Sequence, residues 1–481
     1  MSLEESNKPS QSRIGRTYRL ARLATDTSAR FAMGMARRAV NKNDGEVDLD
    51  EHRKIATRAV EILGGMKGLA MKAGQIVSYV DDWMPDDVRP AYQEVLSRLQ
   101  AKGPVVPLAD MLNVFVDEVG EPPDEVFKDF DEEPIASASI GQVYRATLPS
   151  GERVAVKIQY PGIDKVIQSD LKNLDLLEQV MRASTLGRFD VTRSLKDIKQ
   201  KIGEELDYRL EAQNQQRFAK LYADHPKIVI PRVFEEYSHR RVLTTELLEG
   251  RSYQEFKGGA SRDEINSTSQ VLYEFVFGSF HRYGLFNADP HPGNYIFLDD
   301  GRVGFLDFGC VQDFTLDVPG NFRRLVQKFW DGDIATVRDG LPAALGYPGA
   351  ASEEEKEFFF DYVTYLWRPI LEDRPFRYDD TYTREVFSRT YSGVRLGAKV
   401  TFTKGYPDTE HRGLALLNRL QFGFASILGG LQAEANWHRM MKDFFAEMDA
   451  TAAAEAAAAE VSAAEVSAVG EPDSAKPSSE A

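Results

Sequence analysis

A chain of 481 residues, 42% hydrophobic and 28% charged, is long enough to bury more than one core. Its net charge of −16 argues against general binding of nucleic acid, which needs a basic surface. The single Cys310 excludes an intrachain disulfide and fits a reducing compartment, the seven histidines show no metal-ligand spacing, and no Walker Gly-x-x-x-x-Gly-Lys-Ser/Thr sequence occurs.

Residues 1–48 read as a basic arm, with eight Lys or Arg against three acids in residues 1–40. Arg13, Arg16, Arg19 and Arg22 recur every three residues, interleaved with Ile14, Tyr18, Leu20 and Leu23. Such a stretch suits docking on an acidic body or lying on an anionic membrane surface. Docking or simple solvation is favoured, because Gly15, Thr25 and Asp26 interrupt the apolar face. No apolar run follows the arginines, so the arm does not read as a secretory signal.

Residues 49–128 read as a helical extension, since Ala59, Ile62, Leu63, Met66, Leu69 and Ala70 recur at three and four. Met71-Lys72-Ala73-Gly74-Gln75 continues that segment, and prolines punctuate it at 104, 107, 122 and 123. Residues 129–248 read as a mixed, strand-rich lobe. A small-residue loop, Ala136-Ser137-Ala138-Ser139, leads into the alternating run Gly141–Leu148; Pro149-Ser150-Gly151 turns the chain, and Val154-Ala155-Val156-Lys157-Ile158 reads as a strand with one cation. A charged helical segment over 202–212 offers Glu205 and Glu211 as acidic partners of Lys157, and spacing does not choose between them. Leu243-Thr244-Thr245-Glu246-Leu247-Leu248-Glu249-Gly250 closes this segment.

Residues 249–447 read as a helical lobe. Asp289-Pro290-His291-Pro292-Gly293-Asn294 is followed thirteen residues later by Asp307-Phe308-Gly309. Between them, Asp299-Asp300-Gly301 separates two short apolar runs, a hairpin signal that predicts Asn294 and Asp307 at one mouth. Most Asp-Pro and Asp-Gly pairs are only turns, but the ordered pair of motifs suits phosphoryl chemistry: Asp289 to orient a hydroxyl or take its proton, Asn294 and Asp307 as hard oxygen ligands of Mg²⁺. No run reaches the roughly 18–20 apolar residues of a membrane span; the best, Phe422–Leu431, reads as a buried helix. Residues 448–481, rich in Ala, Glu and Ser and without an aromatic residue, read as a disordered tail.

These motifs, in this order over roughly residues 50–445, resemble the UbiB/AarF family of atypical, protein-kinase-like proteins, which includes the ADCK proteins and is linked to ubiquinone biosynthesis. The resemblance rests on Lys72-Ala73-Gly74-Gln75 as a Lys-x-Gly-Gln motif, on Pro134–Val143 as an Ala-rich loop, on Glu205-Leu206-Asp207 with Glu211, Ala212 and Asn214, on Leu243–Gly250, which looks like the strand and hinge between lobes, and on the catalytic motifs. It implies an α+β, bilobal protein-kinase-like fold with an N-terminal helical extension and a helical C-lobe, binding ATP or ADP with Mg²⁺. It further implies that Lys72 and Gln75 reach the cleft, that Glu205 and Asp207 anchor their helix, and that Glu211 partners Lys157. ATP hydrolysis or phosphorylation of a small or lipid substrate would result, rather than phosphorylation of other proteins. An isoprenoid or quinone-like lipid and peripheral contact with an inner membrane from the cytoplasm are its implied partner and location; it sets no oligomeric state. Two departures stand out: Asn287 and Tyr144 each occupy positions where relatives often carry His. An aminoglycoside-kinase-like phosphotransferase and a nucleotide-gated, lipid-binding scaffold are the alternatives.

Overall fold

The computed structural model describes residues 106–168, 203–386, 388–389 and 423–469, apart from 139, 288, 346, 348 and 349. The basic arm, Lys72, Gln75 and Ser139 therefore lie outside the described residues. The fold is α+β, bilobal and protein-kinase-like, and the chain divides into two units. One takes the described residues to Gly250 together with Gly304–Cys310; the other takes Arg251–Val303 and the described residues from Val311 onward.

The first unit is built on period-two alternation. Strand β3 (Gly141–Thr147) pairs antiparallel with β4 (Arg153–Gln159) through the turn at Gly151, whose φ of 95° favours glycine. In β4, Val154, Val156 and Ile158 are fully buried on one face. Successive side chains point to opposite faces, so Lys157 must lie on the other. Strand β6 (Val242–Glu246) pairs with the far side of β4, opposing Leu243 to Lys157. Short strands β1 (Asp129–Phe130) and β2 (Ala136–Ser137) pair with β3, and β5 (Ile228–Val229) lies between β4 and β6 in sequence.

Two helices cover this sheet on its apolar side. In α1 (Leu108–Val119), Met111, Val114 and Phe115 are buried at helical spacing, and Gly120, at φ 94°, closes the helix through its N–H on the Val116 carbonyl. Helix α2 (Pro123–Val126) comes next, and Phe127 and Phe130 stack at 5.9 Å between Phe115 and Tyr144. Residues 108–126, which the sequence reading groups with the extension, thus contribute to the core of this unit. Further along, α3 (Tyr208–Leu221) is capped by Asp207, whose carboxylate accepts the Arg209 N–H at 3.1 Å.

The second unit is mainly helical. Helices α4 (Tyr253–Gly259) and α5 (Arg262–Tyr273) each begin with a Ser/Glu capping box, at Ser252/Glu255 and Ser261/Glu264. A π-helical turn, Glu274–Gly278, joins α5 to α6 (Ser279–Tyr283). Strand β7 (Leu285–Asn287) pairs antiparallel with β10 (Val311–Asp313). Strands β8 (Tyr295–Phe297) and β9 (Val303–Phe305) stand before and after the Asp299-Asp300-Gly301 turn, where Leu298 donates to the Arg302 carbonyl at 3.0 Å. Residues 423–431 form a helix with Phe424, Ile427, Leu428 and Leu431 buried, in line with the sequence reading.

The last helix, α10 (Trp437–Val469), comes after α7 (Asp317–Trp330), α8 (Ile334–Ala344) and α9 (Glu353–Leu371). It runs well past residue 447, where the sequence reading begins a disordered tail. Ala, Glu and Met are strong helix formers, and Trp437, Met441, Phe444 and Phe445 are buried at helical spacing in its first turns. Its start is therefore held by packing and its continuation comes from propensity. No helix among the described residues is long and apolar enough to cross a membrane.

Candidate active site

Lys157, Glu211 and Asp307 converge within the first unit. The Lys157 Nζ lies 2.8 and 2.9 Å from the two carboxylate oxygens of Glu211, and 3.7 Å from Oδ2 of Asp307. Each is delivered by its own element. Strand alternation turns Lys157 away from the Val156 side. Helical spacing puts Tyr208, Glu211, Ala212, Gln215 and Phe218 on the buried face of α3. The choice left open by spacing alone is thereby resolved geometrically: Glu211 partners Lys157. Glu205 and Asp207 lie before the helix, and the Asp207 carboxylate caps it and grips Arg209 at 2.6 Å, which holds its pKa below the usual range.

Asp307 is held in place through Phe308 and Gly309. Phe308 is fully buried against Phe218, with ring centroids 5.2 Å apart, and its carbonyl accepts a hydrogen bond from Asn214 Nδ2 at 3.1 Å. Gly309 donates its N–H to Asp307 Oδ1 at 2.9 Å. A residue of α3 therefore fastens the backbone immediately beyond Asp307, leaving Oδ2 on the lysine side.

Burial and charge oppose each other here. Burial alone would push the Lys157 ammonium down, but Glu211, Asp307 and Tyr208 raise it above its ordinary value, so it stays charged. Burial pushes Glu211 up to about 7, with Asp307 adding to the rise and Lys157 opposing it. The lysine also sits 4.9 Å above the centroid of the Tyr208 ring, a cation–π arrangement. Tyr208 is itself 1% exposed. Sequence reasoning gave Tyr208 no role, although its place three residues before Glu211 on one helix face was the available signal.

The small-residue loop spends backbone hydrogen bonds within the sheet. Ala136 and Ser137 belong to β2 and pair with Val143 and Gln142, while the Ala138 N–H is already given to the Gly141 carbonyl at 2.8 Å. The loop is closed on itself as a hairpin, so the Ala138 donor is committed within the protein. The outgoing strand is likewise engaged. The Glu246 N–H donates to the Arg232 carbonyl, its carboxylate accepts from the Arg232 N–H at 3.2 Å, and Leu247 donates to the Arg153 carbonyl. Leu248, partly buried, is next in the chain.

The second unit carries Asp289 and Asn294 on a loop folded by its own polar groups. The Asp289 carbonyl accepts from the His291 N–H at 2.8 Å and from Asn294 Nδ2 at 2.9 Å. His291 Nδ1 accepts from Gly293 at 3.1 Å, which shapes the single turn Pro292–Asn294. Asn287 braces the entry, its Oδ1 accepting from the Asp289 N–H at 3.4 Å. The residue that departs from the family habit thus supplies a brace of its own. Tyr144, the other departure, is buried and donates to Gln142 Oε1 at 2.8 Å.

Asp307 carries a carboxylate and Asn294, with its nitrogen committed to the Asp289 carbonyl, an amide oxygen, each a hard donor of the kind Mg²⁺ prefers. Among the described residues, no group of three or more His, Cys, Asp or Glu is placed to hold a metal. Cys310, beyond Asp-Phe-Gly, is partly buried.

A bilobal α+β fold whose strand lysine is clamped by a helix glutamate beside Asp-Phe-Gly defines a protein-kinase-like protein. Residues 98–340 match the sequence model of the ABC1 atypical kinase-like domain, and the chain belongs to that family. The atypical kinase COQ8 of Saccharomyces cerevisiae mitochondria is 30% identical, over 77% of this chain and 74% of that protein. An aarF domain-containing protein kinase of Arabidopsis thaliana chloroplasts is 33% identical over 69% of this chain and 46% of its own length. A Synechocystis protein is 30% identical over 80% of this chain and 58% of its own length, so the chain spans about half the length of some of the curated relatives it matches. Among solved structures, Rv3197 of Mycobacterium tuberculosis, determined in complex with erythromycin, superposes with a TM-score of 0.59 at 27% identity. The match covers 81% of this chain and 95% of that one.

Proposed function

We propose that the protein is an atypical kinase or ATPase that binds Mg²⁺ with ATP or ADP and serves isoprenoid-quinone metabolism. The observation that carries this reading is the Lys157 ammonium, held at 2.8 Å by a buried Glu211 and facing Asp307 at 3.7 Å. A buried cation so fixed is poised to meet the α- and β-phosphates of a nucleotide. In this reading Asn294 and Asp307 would hold Mg²⁺, which would offset the negative charge of the phosphates. Asp289 orients the attacking water or hydroxyl and takes its proton. The new bond forms from that oxygen to the γ-phosphorus while the bridging P–O bond breaks, and ADP leaves. The role in quinone metabolism draws on the resemblance and on kinship with the yeast atypical kinase COQ8.

Lys72 and Gln75 are proposed to reach the nucleotide cleft and exclude protein substrates, leaving hydrolysis or a small or lipid acceptor. Contact with a membrane would be peripheral. The test is phosphate release from ATP by the full chain, with and without liposomes and quinone-precursor mimics. Turnover that is lost in Asp307→Asn with the fold retained supports an enzyme. Nucleotide binding without turnover under any of these conditions refutes it and favours a nucleotide-gated scaffold.

A further inference from the structure

Within the second unit lies a cavity of about 60 Å³ with mainly apolar walls, among them Tyr273, Phe277, Phe322, Trp367, Tyr378 and Met441. Space of that size takes about four to six water molecules, or roughly 120–180 Å³ of liquid, which is the bulk of one aromatic ring with a small substituent. One wall is polar. His281 is 5% exposed and lines the cavity, and its Nδ1 has no hydrogen-bond partner among the described residues.

The surroundings of that imidazole are apolar. Phe280 and Phe445 meet its ring edge-on at 5.1 and 5.2 Å. Burial, with the positive charges of Arg323 and Arg282 adding to it, holds its pKa down at about 3, so the ring is neutral near pH 7. A buried nitrogen left without a partner costs as much as a lost hydrogen bond, and such groups are rare in native proteins.

A second observation comes from the helix that carries it. The turn Glu274–Gly278 is π-helical, a rare insertion that rotates the residues after it relative to those before it and recurs at functional sites. Tyr273 and Phe277 on one side of the disturbance, and Phe280 and His281 on the other, all face the same cavity. The helix is therefore irregular where its side chains line the space. Four residues after His281, β7 opens the loop that holds Asp289.

We propose that this cavity is a binding site for a neutral, single-ring aromatic molecule bearing one hydrogen-bond donor, which His281 Nδ1 accepts. The imidazole is neutral, and the nearby Arg282 and Arg323 are already paired with Glu447 and Asp449, so a charged ligand finds little to offset its desolvation. The proposal does not depend on the nucleotide reading. Aniline and toluene test it, because they share a shape and differ by an amino against a methyl group. The full chain is titrated with each, and binding is read by calorimetry and by ligand-observed NMR.

Aniline is expected to bind about tenfold or more tightly than toluene, since toluene leaves Nδ1 unpaired. His281→Phe should cancel that preference. Ala425→Leu, which adds bulk to the cavity wall and leaves His281 in place, should abolish binding of both. Equal affinity of the two probes for the unmodified protein, no binding of either up to its solubility, or aniline binding unaltered in Ala425→Leu would overturn the proposal.

Discussion

Lys157 acquires its chemistry from position more than from residue type. A lysine on a strand usually points to solvent, but here α3 brings Glu211 to 2.8 Å and Tyr208 beneath the ammonium. In the proposed reading, Asp307→Asn should lower ATP turnover by about 100-fold or more, with circular dichroism unchanged, because charge stabilisation of the transferring phosphoryl group is lost. Gly141 gives a structural counterpart. A Cβ there would lie 2.2 Å from the Ile158 carbonyl oxygen and 3.0 Å from the Tyr208 hydroxyl. Gly141→Ala should cost about 1–3 kcal/mol or more, read as a lowered urea midpoint at constant slope. Residues with a local pattern were legible in the sequence: Lys157 within Val-Ala-Val-Lys, Asp307 before Phe-Gly, Asp289 and Asn294 five apart. The Tyr208 ring contact, the Asn214 bond to the Phe308 carbonyl and the Asn287 brace were not, because each depends on where another segment lands.

At the scale of elements, α3 couples the site to pH. Glu211 rises from an ordinary value of 4.5 to about 7, so the native state holds a proton that the unfolded chain releases. Its contribution to stability is fully present below about pH 4.5 and lost as pH rises through about 7. Glu211→Gln mimics the neutral carboxyl, so the melting temperature of the wild type should fall relative to that of the variant across this window. Parallel melting curves would contradict the assignment. The C-terminal helix makes a second case. Trp437 is fully buried, donates its Nε1–H to the Phe376 carbonyl at 2.8 Å and packs on Tyr273. Trp437→Ala should cost about 3–5 kcal/mol in chemical unfolding. The sequence reading stops order near residue 447 because aromatic burial ends there, whereas the helix continues to Val469. Composition tells whether a segment can bury surface, but a helix begun by packed residues can be extended by propensity alone.

For the whole molecule, the fold class was readable because its period-two and helical patterns are strong and its motifs fall in kinase order. The sequence reading divides the lobes after residue 248, while the first unit of the structure runs to Gly250 and takes up the chain again at Gly304. What linear order hides is that Gly304–Cys310, with Asp307, belongs to the first unit despite lying in the middle of the second. The central claim, that widely separated segments serve one Mg-nucleotide, is tested most directly by calorimetric titration of ADP with and without Mg²⁺. The proteins compared would be the unmodified chain, Lys157→Ala, Asn294→Ala and Asp307→Asn. Binding should depend on Mg²⁺ and weaken about tenfold or more in Lys157→Ala, with the Mg²⁺ dependence lost in the other two variants. Undiminished Mg-ADP affinity in all three variants, or no binding by the unmodified chain, would contradict the claim.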